Sequence, residues 1–161
     1  MKVAIISDIH DNLANLGLFF EAIKKEKVEK IICCGDVCNS ETLKILSKKF
    51  LNEIFLVKGN AEIYQEQEVF EIENINYLGK VGIIEIEKSK IGICHEPTFI
   101  NNLLENEPDL NFIFYGHTHQ PWISIRQKAT LINPGTLGGV FHKACFAVWD
   151  SKTKDVKLKI I

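Results

Sequence analysis

Four of the five histidines in this chain stand at the ends of short apolar runs that are typical of strands: His10, His95, His117 and His119. Histidine is a scarce residue and a common metal ligand, so this placement indicates metal chemistry. Oxygen donors stand at comparable places in the chain: Asp8, Asp36 and Asn60. The sequence therefore offers nitrogen and oxygen ligands for two divalent ions.

These residues occur in short motifs that follow one another along the chain. In order they are Asp8-Ile9-His10, Gly35-Asp36, Gly59-Asn60, Cys94-His95, Gly116-His117-Thr118-His119 and Asn133-Pro134-Gly135-Thr136. Each motif alone has a simpler interpretation, because Gly-Asp and Gly-Asn are more often turns and a single histidine is more often a surface group. The metal interpretation depends on their joint occurrence.

The types of donor narrow the choice of metal and of reaction. Carboxylate, imidazole and amide oxygen without thiolate suit Mn, Fe, Zn or Ni rather than a structural zinc. A spacing of two, as in Asp8 with His10 and His117 with His119, places both side chains on the same side of an extended segment. Two ions about 3.5 to 4 Å apart would clamp the attacking and leaving oxygens of a phosphoryl group. This donor set predicts hydrolysis of a phosphate ester.

The first third of the chain alternates apolar runs with helical periods, which predicts parallel strands joined by helices. The predicted strands cover residues 3–6, 31–34 and 54–57. Two apolar helix faces are predicted, one from Leu13, Leu16, Phe20 and Ile23 and one from Leu43, Leu46 and Phe50, with Ser40 as the cap of the second.

After Asn74 the apolar period becomes two, and a turn at Lys88-Ser89 predicts a hairpin that ends with residues 91–94. Later strands are predicted at 111–115, 123–126, 130–132, 145–149 and 156–160. In the last strand Lys157 and Lys159 alternate with apolar residues, which is typical of an exposed edge. We expect a single α/β domain over residues 1–161, with two packed mixed β-sheets flanked by helices in an αββα sandwich.

The predicted topology explains why residues far apart in sequence could form one site. In open α/β sheets, ligands bind beyond the carboxyl ends of the strands. Every motif from Asp8 to His119 directly follows a predicted strand. We therefore expect all of them to converge on one rim of the sheets.

Composition excludes several classes of protein. Hydrophobic residues make up 46% and charged residues 25%, an ordinary globular mix. A net charge of −2 and a pI of 6.2 provide no field for nucleic acid or an anionic membrane, so we expect no stable nucleic-acid complex and no membrane association. Trp122 and Trp149 are expected to fill the core or an oligomer contact rather than stack on a base. The sequence leaves open whether the chain forms a homo-oligomer.

The five cysteines are odd in number and contain no pair with two-residue spacing. We interpret them as reduced thiols of a cytoplasmic protein. The amino terminus carries a single lysine and a short apolar run, which is unlike a secretory leader.

The ordered motifs resemble the calcineurin-like metallophosphoesterase family, whose signature is Asp-x-His, Gly-Asp, Gly-Asn, a histidine and Gly-His-x-His. The match covers residues 7–119, and Asn133-Pro134-Gly135-Thr136 together with the short length is similar to the small prokaryotic phosphodiesterase branch. The resemblance implies that Asp8, His10, Asp36 and His119 hold one ion, that Asp36 bridges, and that Asn60, His95 and His117 complete the second.

The activity implied by the resemblance is hydrolysis of a small or nucleotide-like phosphodiester. A hydroxide that bridges two ions would attack phosphorus in line, and no covalent enzyme intermediate is needed. Asp36, Asn60 and His117 are the residues that we assign to catalysis. Mn is the expected metal, with Fe, Zn or Ni as alternatives.

The chain departs from the family pattern next to the third motif. Many members have a histidine near the leaving group, paired with an aspartate, where this chain has Ala61 and Asn39. We therefore expect aryl diesters to be hydrolysed much faster than alkyl ones. Glu62 could donate a proton instead, although a solvated charge is the simpler interpretation. The sequence does not assign roles to Glu96 or His142.

Two other functions stay open. The retromer subunit of eukaryotes resembles this fold and serves chiefly as a protein-binding scaffold, but it departs from the ligand set that this chain retains. A phosphomonoesterase is the second alternative. The physiological substrate depends on loops that the sequence does not define.

Overall fold

A computed structural model describes all 161 residues of the chain. The strands are β1 (Lys2–Ile6), β2 (Lys30–Cys33), β3 (Ile54–Leu56), β4 (Ile75–Tyr77), β5 (Val81–Ile86), β6 (Ser89–Cys94), β7 (Phe112–Phe114), β8 (Trp122–Arg126), β9 (Ala129–Asn133), β10 (Cys145–Asp150) and β11 (Val156–Ile160). The helices are α1 (Leu13–Glu26), α2 (Ser40–Lys49), α3 (Glu66–Phe70) and α4 (Ile100–Asn106). A 3-10 turn at Pro97–Phe99 leads into α4.

The strands form two mixed sheets. The first has the order β11-β10-β1-β2-β3-β4, in which β1 to β4 are parallel and β10 and β11 are antiparallel. The second has the order β5-β6-β7-β9-β8, in which β6, β7 and β9 are parallel. The α/β fold with two mixed sheets and flanking helices, expected from the sequence, is confirmed.

Alternation along β1 shows how the layers are built. Ala4 and Ile6 pack with α1 on one face of the first sheet, while Val3 and Ile5 face the second sheet. Side chains of a strand point alternately to opposite faces, so a strand covered on both faces is apolar throughout. This is why residues 3–6 form an unbroken apolar run and every one of them is buried.

The layer between the sheets combines aliphatic side chains with three aromatic rings, Phe112, Phe114 and Trp149. Trp149 is fully buried there, with its ring centroid 5.1 Å from that of Phe112 and 5.9 Å from that of Phe114. Trp122 differs, because it lies on edge strand β8 with 58% of its surface exposed. Trp149 therefore fills the core, one of the two expected places, whereas Trp122 lies outside the core and its oligomer contact stays a prediction.

Three local expectations need correction. In α1 the buried aromatic ring is Phe19 rather than Phe20, because Phe19 packs against Phe146 of β10. The hairpin turn is formed by Glu87 and Lys88, both with positive φ, one residue earlier than expected. Ser40 is the first residue of α2 and does not cap it.

The last strand, the cysteines and the helices can each be compared with what the sequence predicted. β11 forms an edge of the first sheet and is largely exposed, as its lysines indicate. All five cysteines are buried and free. No helix of the structure is both long and apolar enough to span a membrane. The sequence analysis missed β4, α3 and α4, which are short elements.

Candidate metal centre

The structure brings all seven predicted ligands to one rim. They follow the carboxyl ends of β1 (Asp8 and His10), β2 (Asp36), β3 (Asn60), β6 (His95) and β7 (His117 and His119). Asp8, Asp36 and His95 are buried at the floor of the site, whereas Asn60 and His117 are exposed at its mouth. The site therefore has a buried charged base and an entrance open to solvent.

One group of donors is centred on Asp8. Its Oδ1 atom lies 3.2 Å from Nε2 of His119 and 3.8 Å from Nε2 of His10. The two Nε2 atoms are 3.3 Å apart. Oδ2 of Asp36 is 3.8 Å from Nε2 of His10, at the edge of this group.

A second group of donors extends from Asp36 to the mouth. Oδ2 of Asp36 lies 3.3 Å from Nε2 of His95, which is 3.0 Å from Oδ1 of Asn60. The same amide oxygen is 2.8 Å from Nδ1 of His117. One oxygen of Asp36 therefore faces histidines of both groups, as expected of a carboxylate shared between two ions.

Two of the histidine rings are oriented by backbone carbonyls. Nδ1 of His95 donates to the carbonyl of Cys34 at 2.7 Å, and Nδ1 of His119 donates to that of Val140 at 3.1 Å. A carbonyl only accepts, so Nδ1 carries the hydrogen and Nε2 of the neutral ring directs its lone pair into the pocket. There each Nε2 faces a carboxylate oxygen, so the contact is favourable when a second ring proton or a metal ion lies between the two atoms.

The hydrogen-bond partners of Asp8 show whether these residues could hold a metal ion. Its Oδ2 atom accepts the backbone N–H of His117 at 3.1 Å, while Oδ1 is buried without any hydrogen-bond partner. An unpartnered buried carboxylate oxygen costs free energy unless a cation compensates it. One donor atom each from Asp8, His10 and His119 lies within 4.8 Å of the other two. The donor set therefore fits a divalent cation.

The carboxylates and rings shift each other's protonation. Burial raises the pKa of Asp36, but hydrogen bonds from His95 and from the Ala61 N–H outweigh it and hold the pKa below its ordinary value. Burial lowers the pKa of His95, but Asp36 and Asp8 outweigh it and raise the pKa. Interaction with Asp8 likewise raises the pKa of His10. The two carboxylates thus favour a positive charge on their neighbours, whether a ring proton or a bound cation.

The backbone at the site differs from the extended segments expected. Positive φ angles occur at Asp8 (56°), His10 (47°), Asp36 (55°), His117 (69°) and His119 (59°). This left-handed region is unfavourable for residues with a Cβ and often marks functional sites. The members of each Asp-x-His or His-x-His pair therefore converge through tight turns rather than through the pleat of a strand.

Close backbone packing explains two glycines of the motifs. A Cβ on Gly59 would lie 2.1 Å from Oδ1 of Asp36, and one on Gly116 would lie 1.9 Å from Oγ of Ser7. Larger residues cannot be accommodated at either place without moving a candidate ligand or the end of β1. Glycine at these positions is required by the approach of neighbouring segments.

The Asn-Pro-Gly-Thr motif supports the site from behind. The amide of Asn133 donates to the carbonyl of Gly116 at 2.8 Å and to the hydroxyl of Thr118 at 3.0 Å. The hydroxyl of Thr136 donates to the carbonyl of Asp8 at 3.0 Å. This motif therefore holds the two loops that carry Asp8, His117 and His119.

Glu62 also has a supporting role that the sequence did not indicate. Its carboxylate accepts backbone N–H groups of Cys38 at 2.7 Å, Gly59 at 3.2 Å and Val37 at 3.3 Å. Burial raises its pKa above the ordinary value. The interpretation of Glu62 as a solvated charge was wrong, since it links the second and third motifs.

Asn39 and Ala61, which replace the aspartate and the histidine of many family members, form hydrogen bonds of their own in this structure. Asn39 donates its backbone N–H and its side-chain amide to Asp11, whose carboxylate also accepts the Thr42 hydroxyl at 2.6 Å. Ala61 donates its N–H to Oδ1 of Asp36 at 2.8 Å. Neither position supplies a proton donor for a leaving group. Glu96 is half-buried after β6, and His142 is exposed.

Comparison with known proteins identifies the family. Residues 1–154 match the calcineurin-like phosphoesterase superfamily domain. This chain belongs to the calcineurin-like phosphoesterase superfamily. The resemblance inferred from the motifs is confirmed.

Similar members of the superfamily occur in Methanocaldococcus jannaschii. A probable metallophosphoesterase of that organism is 31% identical over 147 residues, which are 84% of this chain and 68% of the relative. A phosphodiesterase of the same organism is 27% identical over 143 residues, 86% of each protein.

Several solved structures share the fold of this chain. An archaeal phosphodiesterase superposes with a TM-score of 0.90 at 24% identity, over 100% of both chains. The protein Vps29 of Entamoeba histolytica, solved with Zn²⁺, has a TM-score of 0.74 at 19% identity, over 100% of this chain and 98% of that one. At these identities the likeness concerns the fold alone.

Proposed function

We propose that this superfamily member is a metal-dependent phosphodiesterase that acts on a small or nucleotide-like diester. The observation that carries the proposal is the position of Asp36, whose Oδ2 atom faces His10 of one donor group and His95 of the other. A diester rather than a monoester is supported by the phosphodiesterase relative in Methanocaldococcus jannaschii.

The proposed ligands divide into two sets that share one carboxylate. One ion would be held by Asp8, His10, Asp36 and His119, and the other by Asp36, Asn60, His95 and His117. The donors are nitrogen and oxygen, so we favour Mn, with Fe, Zn or Ni as alternatives. Two such ions, when bound, lower the pKa of water and neutralise charge on the phosphoryl oxygens.

The residues of the chain position these components. Asp36 is held by the Ala61 N–H on one oxygen, so the other is free to face both donor groups. Asn60 and His117 are the exposed donors, and a substrate that enters from solvent meets them first. The reaction forms a P–O bond to water and breaks the P–O bond to the leaving alcohol, and solvent supplies the proton to that alcohol.

The direct test is hydrolysis of bis(p-nitrophenyl) phosphate by protein stripped of metal and then reloaded with Mn²⁺. We expect turnover to require Mn²⁺ and to disappear with a chelator, and metal analysis to give two ions per chain. The same assay with p-nitrophenyl phosphate separates a diesterase from a monoesterase. Faster hydrolysis of the monoester would reverse our assignment.

A protein-binding scaffold is the competing function, because Vps29 shares this fold. A scaffold would bind metal without hydrolysing either ester. Tight Mn²⁺ binding with no turnover of either compound would therefore contradict the proposed enzyme. An oligomer that uses exposed Trp122 stays a prediction, which sedimentation of the purified chain would test.

A further inference from the structure

One loop beside the candidate metal centre supplies none of the proposed ligands. It runs from Gly139 to Ala144, between the Asn-Pro-Gly-Thr motif and β10. The carbonyl of Val140 accepts the Nδ1–H of His119 at 3.1 Å. The loop is therefore bonded directly to a candidate ligand and borders the entrance of the site.

Phe141 is the unusual residue of this loop. Its side chain is 89% exposed, although burial of a phenyl ring is favourable by about 1.5–3 kcal/mol. Its φ of 63° lies in the left-handed region, which costs a residue with a Cβ about 1–2 kcal/mol. An exposed ring on strained backbone contributes little to folding, so its position calls for another explanation.

The ring is directed toward the metal centre. The centroids of Phe141 and His119 are 5.5 Å apart, with 44° between the ring planes. One edge of Phe141 is thus supported by the candidate ligand, and the rest of its surface is free. A flat group attached to a phosphate held at the site would reach that free surface.

The charges of the loop also suit an anionic ligand. His142 and Lys143 follow Phe141 and are both exposed, and no residue from Gly138 to Ala144 is acidic. A phosphodiester carries one negative charge at neutral pH, so the loop presents an aromatic face and a cation to it. A purely aliphatic ligand would gain nothing from the positive charge of this loop.

We propose that Phe141 determines substrate specificity by stacking on an aromatic group of the diester, as a nucleobase or an aryl ring provides. This rests on the proposed function and specifies its substrate class. Stacking of one base on an aromatic side chain changes affinity roughly 5- to 150-fold when the side chain is removed. Specificity of this kind needs no hydrogen bonds to the base.

The test compares ligands that share a phosphate and differ in the aromatic group. Thymidine 5′-monophosphate, phenyl phosphate and 2-deoxyribose 5-phosphate are measured as inhibitors of aryl-diester hydrolysis by the Mn²⁺-loaded protein. For Phe141→Ala we expect the inhibition constants of the first two ligands to rise roughly 5- to 150-fold, while that of the sugar phosphate stays within about twofold. A larger loss for thymidine 5′-monophosphate would indicate that the ring stacks on a nucleobase, and a larger loss for phenyl phosphate would indicate an aryl ring.

Two further variants make the comparison specific. Phe141→Trp should retain the preference for aromatic ligands, and its added fluorescence should be quenched by thymidine 5′-monophosphate but not by 2-deoxyribose 5-phosphate. Phe70→Ala is the matched control, because Phe70 is 68% exposed and packs on Tyr77 instead of a candidate ligand.

The outcomes separate this inference from the proposed function. An equal loss for all three ligands, or no loss for any, overturns the stacking role while hydrolysis by the unmodified protein continues. If the unmodified protein hydrolyses no ester, the proposed function itself fails. Fluorescence quenching in Phe141→Trp then still reports whether the aromatic ligand binds at the loop.

Discussion

Nε2 of His95 lies 3.3 Å from Oδ2 of Asp36, while Nδ1 of the same ring is bonded to the carbonyl of Cys34. The ring therefore cannot rotate to offer its Nδ1 hydrogen to the carboxylate without losing a buried hydrogen bond. When the ring is neutral, two groups that both accept are held face to face at the floor of the site. The pair is stabilised when a second ring proton or a metal ion lies between the two atoms.

Replacement of Asp36 by asparagine should remove most of the metal affinity. The amide keeps an oxygen for the Ala61 N–H, so the fold should persist, but the negative charge shared by both donor groups is lost. We expect hydrolysis to fall by more than about 100-fold, with unchanged circular dichroism. Asp109→Asn is the control, because Asp109 is exposed and pairs with Lys90 away from the site. Full activity in Asp36→Asn would exclude the proposed centre.

The absence of an acid at Ala61 and Asn39 should make the rate depend on the leaving group. General acid catalysis is worth about 10²- to 10⁴-fold, and poor leaving groups need it most. We expect aryl diesters to be hydrolysed faster than alkyl diesters by a factor of this order, in a series of graded leaving-group pKa. A flat series would mean that another side chain supplies the proton.

Asn133→Ala should weaken metal binding without a change in the ligands themselves. Asn133 is buried and bonds Gly116 and Thr118, which flank His117. Loss of a residue that orients ligands typically costs 10- to 100-fold in metal affinity, and we expect that range for Mn²⁺ by calorimetry. Asn76→Ala, an exposed asparagine of β4, should leave the affinity unchanged. Equal affinities in the two variants would contradict this supporting role.

Glu26 should stabilise the fold in a manner that depends on pH. Hydrogen bonds from Lys159 and Lys2 lower its pKa from 4.5 to about 2. Because the folded pKa is depressed, the stabilisation is complete above pH 4.5 and is lost as the pH falls toward about 2.

The effect is measured as the difference between the unmodified protein and Glu26→Gln in urea denaturation. The partners are partly exposed, so we expect at most about 1 kcal/mol at pH 7, a smaller difference at pH 3 and convergence of the two proteins near pH 2. Glu21→Gln, an exposed position of α1, serves as the control. A constant difference between pH 7 and pH 3 would show that the ion pair is not its source.

Apolar patterning and motif order made the architecture predictable. A short apolar run such as residues 3–6, bounded by polar residues, favours a strand covered on both faces, and this predicted the centre of the first sheet. β4 was missed because three residues with polar Asn76 in the middle carry too little pattern. Phe20 was preferred to Phe19 because helical spacing alone does not reveal which ring meets β10.

The candidate site was predictable in its donors but not in its supports. The seven donors follow strands in a recognisable order, whereas Glu62 contacts residues 24 and 25 positions away and Thr136 bonds a carbonyl 128 positions away. Such pairings depend on the assembled loops. The left-handed turns at Asp8 and His10 were likewise not predicted, although aspartate and histidine enter that region more readily than most residues. Both turns are held by backbone hydrogen bonds to the distant loop at Gly35 and Asp36.

Strand β10 lies between β11 and β1, and the loop before it contacts the carbonyls of Ser7 and Asp8. The first strand of the sheet therefore gains its antiparallel partner, and the turn at Asp8 its support, from residues that are distant in sequence. Detachment of β10 would open an edge along β1 and loosen the backbone of Asp8. The geometry of the candidate centre consequently depends on the integrity of the whole first sheet.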